Sequence, residues 1–202
     1  MLNVSNTTSA ARNAALSATA AAGAQFTEVA ALGQKIGEGS QKDVFHSLQN
    51  ANHCVCLFRP GTTGVQSAEQ VAQNEQAATH KLKELGFPVV DVHGLVSHNG
   101  QFGLNKEFIR HAIDAADITQ GKRELPEEKG FNKNVEQDCN DIIKQLKSHN
   151  LHIDDLQFLI DENGRVRIND PRKIESSSPE KSIAKVKELK GFAVNNLLSD
   201  SE

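Results

Sequence analysis

The sequence predicts an α+β fold. Its elements run strands, helix, strands, then helix, hairpin, helix, so the first half is rich in strands and the second in helices. Turn signals at Asn99-Gly100 and Asn163-Gly164, with an apolar stripe at helical spacing between them, set that order. At 202 residues the chain makes one domain or two very small ones, with room for a hydrophobic core.

From Met1 to Thr27 the residues are mostly Ser, Thr, Asn and Ala, and Arg12 is the only charge before Glu28. Such a segment buries too little apolar surface to fold alone. Residues 1–27 are therefore expected to be a flexible leader, an Ala-rich helix lying on the domain, or an uncleaved secretion signal of the type III kind, which has this composition. Ile36 to Phe45 holds two short extended stretches around Gly37-Glu38-Gly39-Ser40, and His53 to Phe58 reads as a strand closed by Arg59-Pro60-Gly61. Ser67 with Gln70 forms a capping box, and Gly86 followed by Pro88 stops the run, which places a helix over 68–85. Two strands flank Asn99-Gly100, the second running to Phe108-Ile109.

Val135, Cys139, Ile142, Ile143 and Leu146 then make 134–148 a core-facing helix. Leu151-His152-Ile153-Asp154 follows, with strands at Phe158–Ile160 and Val166–Ile168 and the tripeptide Asn169-Asp170-Pro171. Ser178 as cap and Pro179 as first residue start a last helix that buries Val186, Leu189, Ala193 and Leu197.

Composition excludes several functions. With 22 basic against 26 acidic groups the formal charge is −4, which does not suit a nucleic-acid binder working by bulk positive charge. There is no Trp or Tyr and nine Phe, so base-stacking platforms are poorly supplied. No apolar run approaches the ~20 residues needed to cross a bilayer, and the N-terminus lacks the pattern of a secretory signal peptide. Cys54, Cys56 and Cys139 have no metal-ligand spacing and suit a reducing, cytosolic environment.

Several residues carry candidate chemistry. Gly37 and Gly39 sit between strands, where missing side chains let backbone N–H groups approach phosphate oxygens; an ordinary hairpin turn uses glycines in the same way. Lys42 and Val44 lie on one face of the next strand, so if Val44 covers an adenine ring, Lys42 points toward the phosphates. Glu75 shares an arc of about 80° with Val71, Ala78, Leu82 and Leu85 at about 100° per residue. A carboxylate on an apolar stripe requires a cation from a neighbouring strand, unless it sits at the margin and reaches water. Asp154 and Asp170 bring two carboxylates to one edge, which suits phosphoryl transfer: one orients a hydroxyl nucleophile and the other holds Mg²⁺ against the phosphates.

Together these residues resemble a protein kinase over about 32–175. Ile36-Gly37-Glu38-Gly39-Ser40-Gln41-Lys42-Asp43-Val44-Phe45 is similar to the glycine-rich loop, with Lys42 in place of its third glycine. Glu75 resembles the glutamate of helix C. Lys106-Glu107-Phe108-Ile109 resembles the hinge, whose backbone at Glu107 and Ile109 would pair with adenine. His152-Ile153-Asp154 is similar to the catalytic loop, with His152 read as a structural histidine, and Asn169-Asp170-Pro171 takes the place of the metal-binding Asp-Phe-Gly. The resemblance implies a minimal bilobal kinase-like fold with a first lobe over 28–109 and a truncated second lobe over 110–202. Too few residues follow Asp170 for an activation segment and a full helical subdomain, so constitutive or partner-set activity is expected, and a lag shortened by preincubation with ATP would contradict that.

The sequence also departs from the family pattern. Gln157, three residues after Asp154, stands where an Asn is expected five residues on, and would serve with Asp170 as a metal ligand. The strand that ordinarily ends in a nucleotide-gripping lysine reads Val55-Cys56-Leu57-Phe58-Arg59. Lys42 would replace that lysine as in the "with no lysine" kinases, with Arg59 as the rival cation. Such a kinase behind a Ser/Thr/Asn-rich leader that carries a single charge resembles the HopBF family of bacterial type III effectors. That resemblance implies an ATP- and Mg²⁺-dependent Ser/Thr protein kinase, secreted into the host cell cytosol, that phosphorylates and inactivates the chaperone heat shock protein 90. A catalytically inactive pseudokinase effector, a small-molecule phosphotransferase and a nucleotidyl transferase stay open as alternatives.

Overall fold

The computed structural model describes residues 25–199. Most of the expected leader lies outside them. Its last residues do not behave as a leader: Phe26 packs edge-to-face on Phe102 with ring centroids 5.0 Å apart, and Thr27 pairs with Val96. The folded region therefore begins before Glu28, where the first acidic residue had placed it.

A six-stranded sheet makes the first lobe. Its strands are β1 (Thr27–Glu28), β2 (Lys35–Glu38), β3 (Lys42–His46), β4 (His53–Phe58), β5 (Val92–His98) and β6 (Gln101–Glu107), in the order β1-β5-β6-β4-β3-β2. All pairings except β1–β5 are antiparallel. Helix α1 (Ala68–Glu84) starts where Ser67 accepts a hydrogen bond from the Gln70 N–H, and it stops before Gly86, whose φ of +84° a side chain would resist. It buries Val71 and Ala72 against Phe58, Val92, Leu95 and Leu104 of the sheet.

The second lobe is built around α3 (Lys129–His149) and α4 (Glu180–Ser199), with the short strand β7 (Ile113–Asp114) and helix α2 (Ala115–Thr119) preceding them. Helix α3 begins five residues earlier than Asn134, because Phe131 and Val135 are an i, i+4 pair on its buried face and extend the stripe of Cys139, Ile142 and Leu146. Gly130 hides this start from the sequence, yet a glycine facing open space is tolerated there. Strands β9 (Gln157–Ile160) and β10 (Val166–Asn169) form the expected hairpin, and β7 pairs with β9. Strand β8 (Leu151–Asp154) finds an unexpected partner in β11 (Lys173–Ser176). Val186, Leu189 and Ala193 of α4 are buried, whereas Leu197 is only half-buried near the helix end.

The lobes are joined by backbone as well as by the chain. The Val90 N–H donates to Ile168 O at 2.9 Å, and the Ile168 N–H donates to Pro88 O at 2.8 Å. Arg167 of β10 reinforces this seam, donating to Val89 O at 3.0 Å and pairing with Glu107 at 2.6 Å. Leu82, Phe87 and Val89 of the first lobe belong to the second lobe's hydrophobic core.

Candidate active site

Between the lobes lies a cleft of about 490 Å³, a size that suits a nucleotide. Its roof is the loop from Ile36 to Val44. Added Cβ atoms at Gly37 and Gly39 would meet nothing in the protein closer than 3.5 Å, so no internal contact demands glycine there. Both glycines line the cleft, and their missing side chains leave room for a ligand. Ser40 and Val44 line it too. At the hinge, Glu107 and Ile109 face the cleft, and among the described residues the Ile109 backbone has no hydrogen-bond partner. The Glu107 carbonyl accepts from the Cys54 thiol at a long 3.7 Å.

Glu75 meets two cations from two strands. Lys42 Nζ of β3 donates to Glu75 Oε2 at 2.9 Å, and Lys106 Nζ of β6 donates to Oε1 at 3.1 Å. Both lysines also reach Asp170 Oδ1, Lys42 at 2.8 Å and Lys106 at 2.5 Å. The result is a neutral quartet of two lysines and two carboxylates. Glu75 and Lys106 are 2% and 3% exposed, so each charge depends on the others for its solvation. Burial pushes the Glu75 carboxyl up. Burial also opposes the charge on Asp170, but Lys106 and then Lys42 outweigh it and hold that carboxyl well below the usual range. Lys42 and Lys106 are held protonated, with Asp170 and then Glu75 overcoming the effect of burial.

Arg59 is the displaced rival. Its guanidinium pairs with Glu38 at 2.7 Å and donates to Gly39 O, bracing the glycine loop, and it is absent from the cleft lining. We expect Lys42→Ala to lower phosphotransfer by about 10²–10³-fold, as loss of a preorganised charge does. Arg59→Ala should cost less than about tenfold, mainly as a higher KM for ATP, since one exposed ion pair contributes about 1 kcal/mol at most. Steady-state kinetics on both variants check this; the reverse ranking would refute it.

Of the second-lobe residues, Asp170 and Gln157 line the cleft at the paired ends of β10 and β9. Asp154 does not. Leu151 and Ile153 point into the core, so strand alternation turns Asp154 outward, where it is exposed. Its neighbour Asp155, equally exposed and turned by a φ of +53°, is the member of this pair that lines the cleft. His152 is tied to Ser182 of α4 at 3.0 Å, a structural contact.

Lys106 was missed as a site residue. Its place two positions after Leu104, on the same strand face, is a signal only once β6 is known to lie between β5 and β4.

A divalent cation would find oxygen donors here. Asp170 Oδ2 takes no hydrogen bond or ion pair among the described residues, and Gln157 supplies a nearby amide. No cluster of three or more His, Cys, Asp or Glu able to hold a metal ion occurs among the described residues. That set suits Mg²⁺, which binds through one or two carboxylates plus substrate phosphates rather than an all-protein cage.

A glycine-roofed cleft between a sheet lobe and a reduced helical lobe, with a lysine, a helix glutamate and an aspartate meeting at its floor, defines a minimal protein kinase fold. Sequence comparison gives the family. Residues 4–197 match the type III secretion system effector HopBF1 kinase domain, and the chain belongs to that family. The type III effector protein HopBF1 of Pseudomonas syringae pv. syringae (strain FF5) is 52% identical over 182 residues, 90% of each chain. A solved structure of the CAK complex from Chaetomium thermophilum bound to ATP-gamma-S matches 72% of the chain and 47% of its own, at 17% identity and a TM-score of 0.49, so the chain spans about half of that protein. Among the described residues no helix is long and apolar enough to cross a membrane.

Proposed function

We propose that the chain is an ATP-dependent serine/threonine protein kinase, delivered by type III secretion into a eukaryotic host cell, whose substrate is the chaperone heat shock protein 90. The observation that carries the kinase reading is the meeting of Lys42, Glu75 and Asp170 at the floor of the nucleotide-sized cleft. The serine/threonine specificity and the chaperone rest on the resemblance to the HopBF effectors.

In this reading the Ile109 backbone pairs with the base, and Val44 covers it. The N–H groups of the loop around Gly37, Gly39 and Ser40 take the phosphates. Lys42 donates to Glu75 and to Asp170, which leaves one of its three N–H groups for a phosphate oxygen. Asp170 and Gln157 would hold Mg²⁺, which would supply charge neutralisation for the phosphates. Asp155 orients the acceptor hydroxyl and takes its proton.

The test is incubation of the protein with γ-labelled ATP, Mg²⁺ and purified heat shock protein 90, followed by mass spectrometry. We expect phosphate on serine or threonine of the chaperone. No label on the chaperone but label elsewhere in a host lysate would replace the substrate. No transfer to any protein would leave a binding effector or a small-molecule kinase, and an added nucleotide mass would identify nucleotidyl transfer.

A further inference from the structure

Lys106 is the feature of the cleft that the kinase reading does not use. It enters from β6 of the first lobe and donates to three acceptors: Glu75 Oε1 at 3.1 Å, Asn169 Oδ1 at 2.8 Å and Asp170 Oδ1 at 2.5 Å. An ammonium has three N–H groups, so all of them are satisfied inside the protein. Two of its acceptors come from the second lobe and one from helix α1. Lys42, by contrast, touches two carboxylate oxygens and keeps a donor for a ligand.

The two lysines therefore divide the work. We propose that Lys106 is a positioning residue, an internal cation that holds Glu75 and Asp170 in register across the two lobes before nucleotide or metal binds, while Lys42 alone addresses the phosphates. The proposal rests on the kinase reading for its consequence in catalysis, but its physical core does not. Without Lys106, two carboxylates would share a buried site with one cation, and their repulsion would drive α1 and the Asp170 turn apart or protonate one of them. With it, the quartet is neutral and closed.

The charge balance gives a test that ordinary structural damage would not mimic. Lys106→Met keeps the length of the side chain and removes its charge, leaving Glu75 and Asp170 opposite Lys42 alone. Titration of the nucleotide-free protein with Mn²⁺, followed by electron paramagnetic resonance, is expected to show at least tenfold tighter metal binding than wild type. Phosphotransfer by the same variant is expected to fall at least thirtyfold in kcat with KM for ATP unchanged within threefold, whereas Lys42→Met raises that KM. Unchanged Mn²⁺ affinity, or a KM that rises as in Lys42→Met, overturns the proposal.

If Lys106→Met shows no cooperative unfolding transition, Lys106→Arg decides. It keeps the charge but cannot place one nitrogen among three oxygens. Wild-type Mn²⁺ affinity with kcat reduced at least tenfold supports the positioning role, and wild-type kcat overturns it. Should the wild-type protein transfer no phosphate at all, the kinase reading fails while the Mn²⁺ comparison still decides what Lys106 does.

Discussion

Asp170→Asn is expected to reduce phosphotransfer by about 10³-fold or more and to destabilise the protein by about 3 kcal/mol. Asparagine suits the test because it tolerates the left-handed backbone at this position, where φ is +51°, so the loss reports charge rather than strain. Two consequences follow from removing that charge. In the proposed reaction, the oxygen that would ligate Mg²⁺ becomes a neutral amide atom, which would weaken metal binding and with it the phosphate charge balance. Lys42 and Lys106 are then left facing Glu75 alone, a net positive charge in a nearly closed site. The stability cost sits at the lower end of the range for breaking buried ion pairs because 22% of the Asp170 side chain still meets solvent.

The pH dependence has a defined sign. Lys106 and Lys42 overcome burial and hold the folded-state pKa of Asp170 below its unfolded value of about 3.9. Its stabilisation is therefore complete above about pH 4 and is lost as pH falls toward the depressed folded value. The stability difference between wild type and Asp170→Asn should be flat from about pH 5 to 8 and shrink below about pH 4. Urea unfolding at several pH values measures it. A difference that grows on acidification would mean that Asp170 is not the ionised member of the quartet.

Local chemistry made much of this fold legible. Ser67 and Gly86 bracket α1 with side-chain and backbone geometry that needs no tertiary context, and Asn99-Gly100 fixes the β5–β6 hairpin by its own turn preference. Glu75 was legible as a demand, since a carboxylate on an apolar stripe has to be met by a cation. Which cation meets it depends on strand order: β3 and β6 lie on either side of β4, so lysines 64 positions apart reach the same carboxylate. Lys106 near a strand end reads as a solvated residue until that order is known. The β8–β11 pairing was hidden for a similar reason, because Lys173–Ser176 has no apolar alternation of its own and is a strand only beside Leu151–Asp154.

Asp155→Asn is expected to lower kcat by about 10²–10⁴-fold, the usual cost of losing a positioned proton acceptor, with nucleotide binding intact. Asp154→Asn should leave the rate within about twofold, in keeping with the ±0.5 kcal/mol typical of exposed positions. Adjacent aspartates are hard to tell apart in sequence, because spacing from a preceding histidine favours Asp154. The strand reverses that ranking. With Leu151 and Ile153 buried, Asp154 projects away from the core, and the left-handed turn at Asp155 brings the next residue to the cleft wall. Asparagine again preserves that backbone, whereas alanine would add strain at φ +53° and confuse the result. Single-turnover phosphotransfer with saturating ATP separates the two variants; a large loss in Asp154→Asn with a mild one in Asp155→Asn would assign the acceptor side to Asp154 and require the β8 end to rotate when substrate binds.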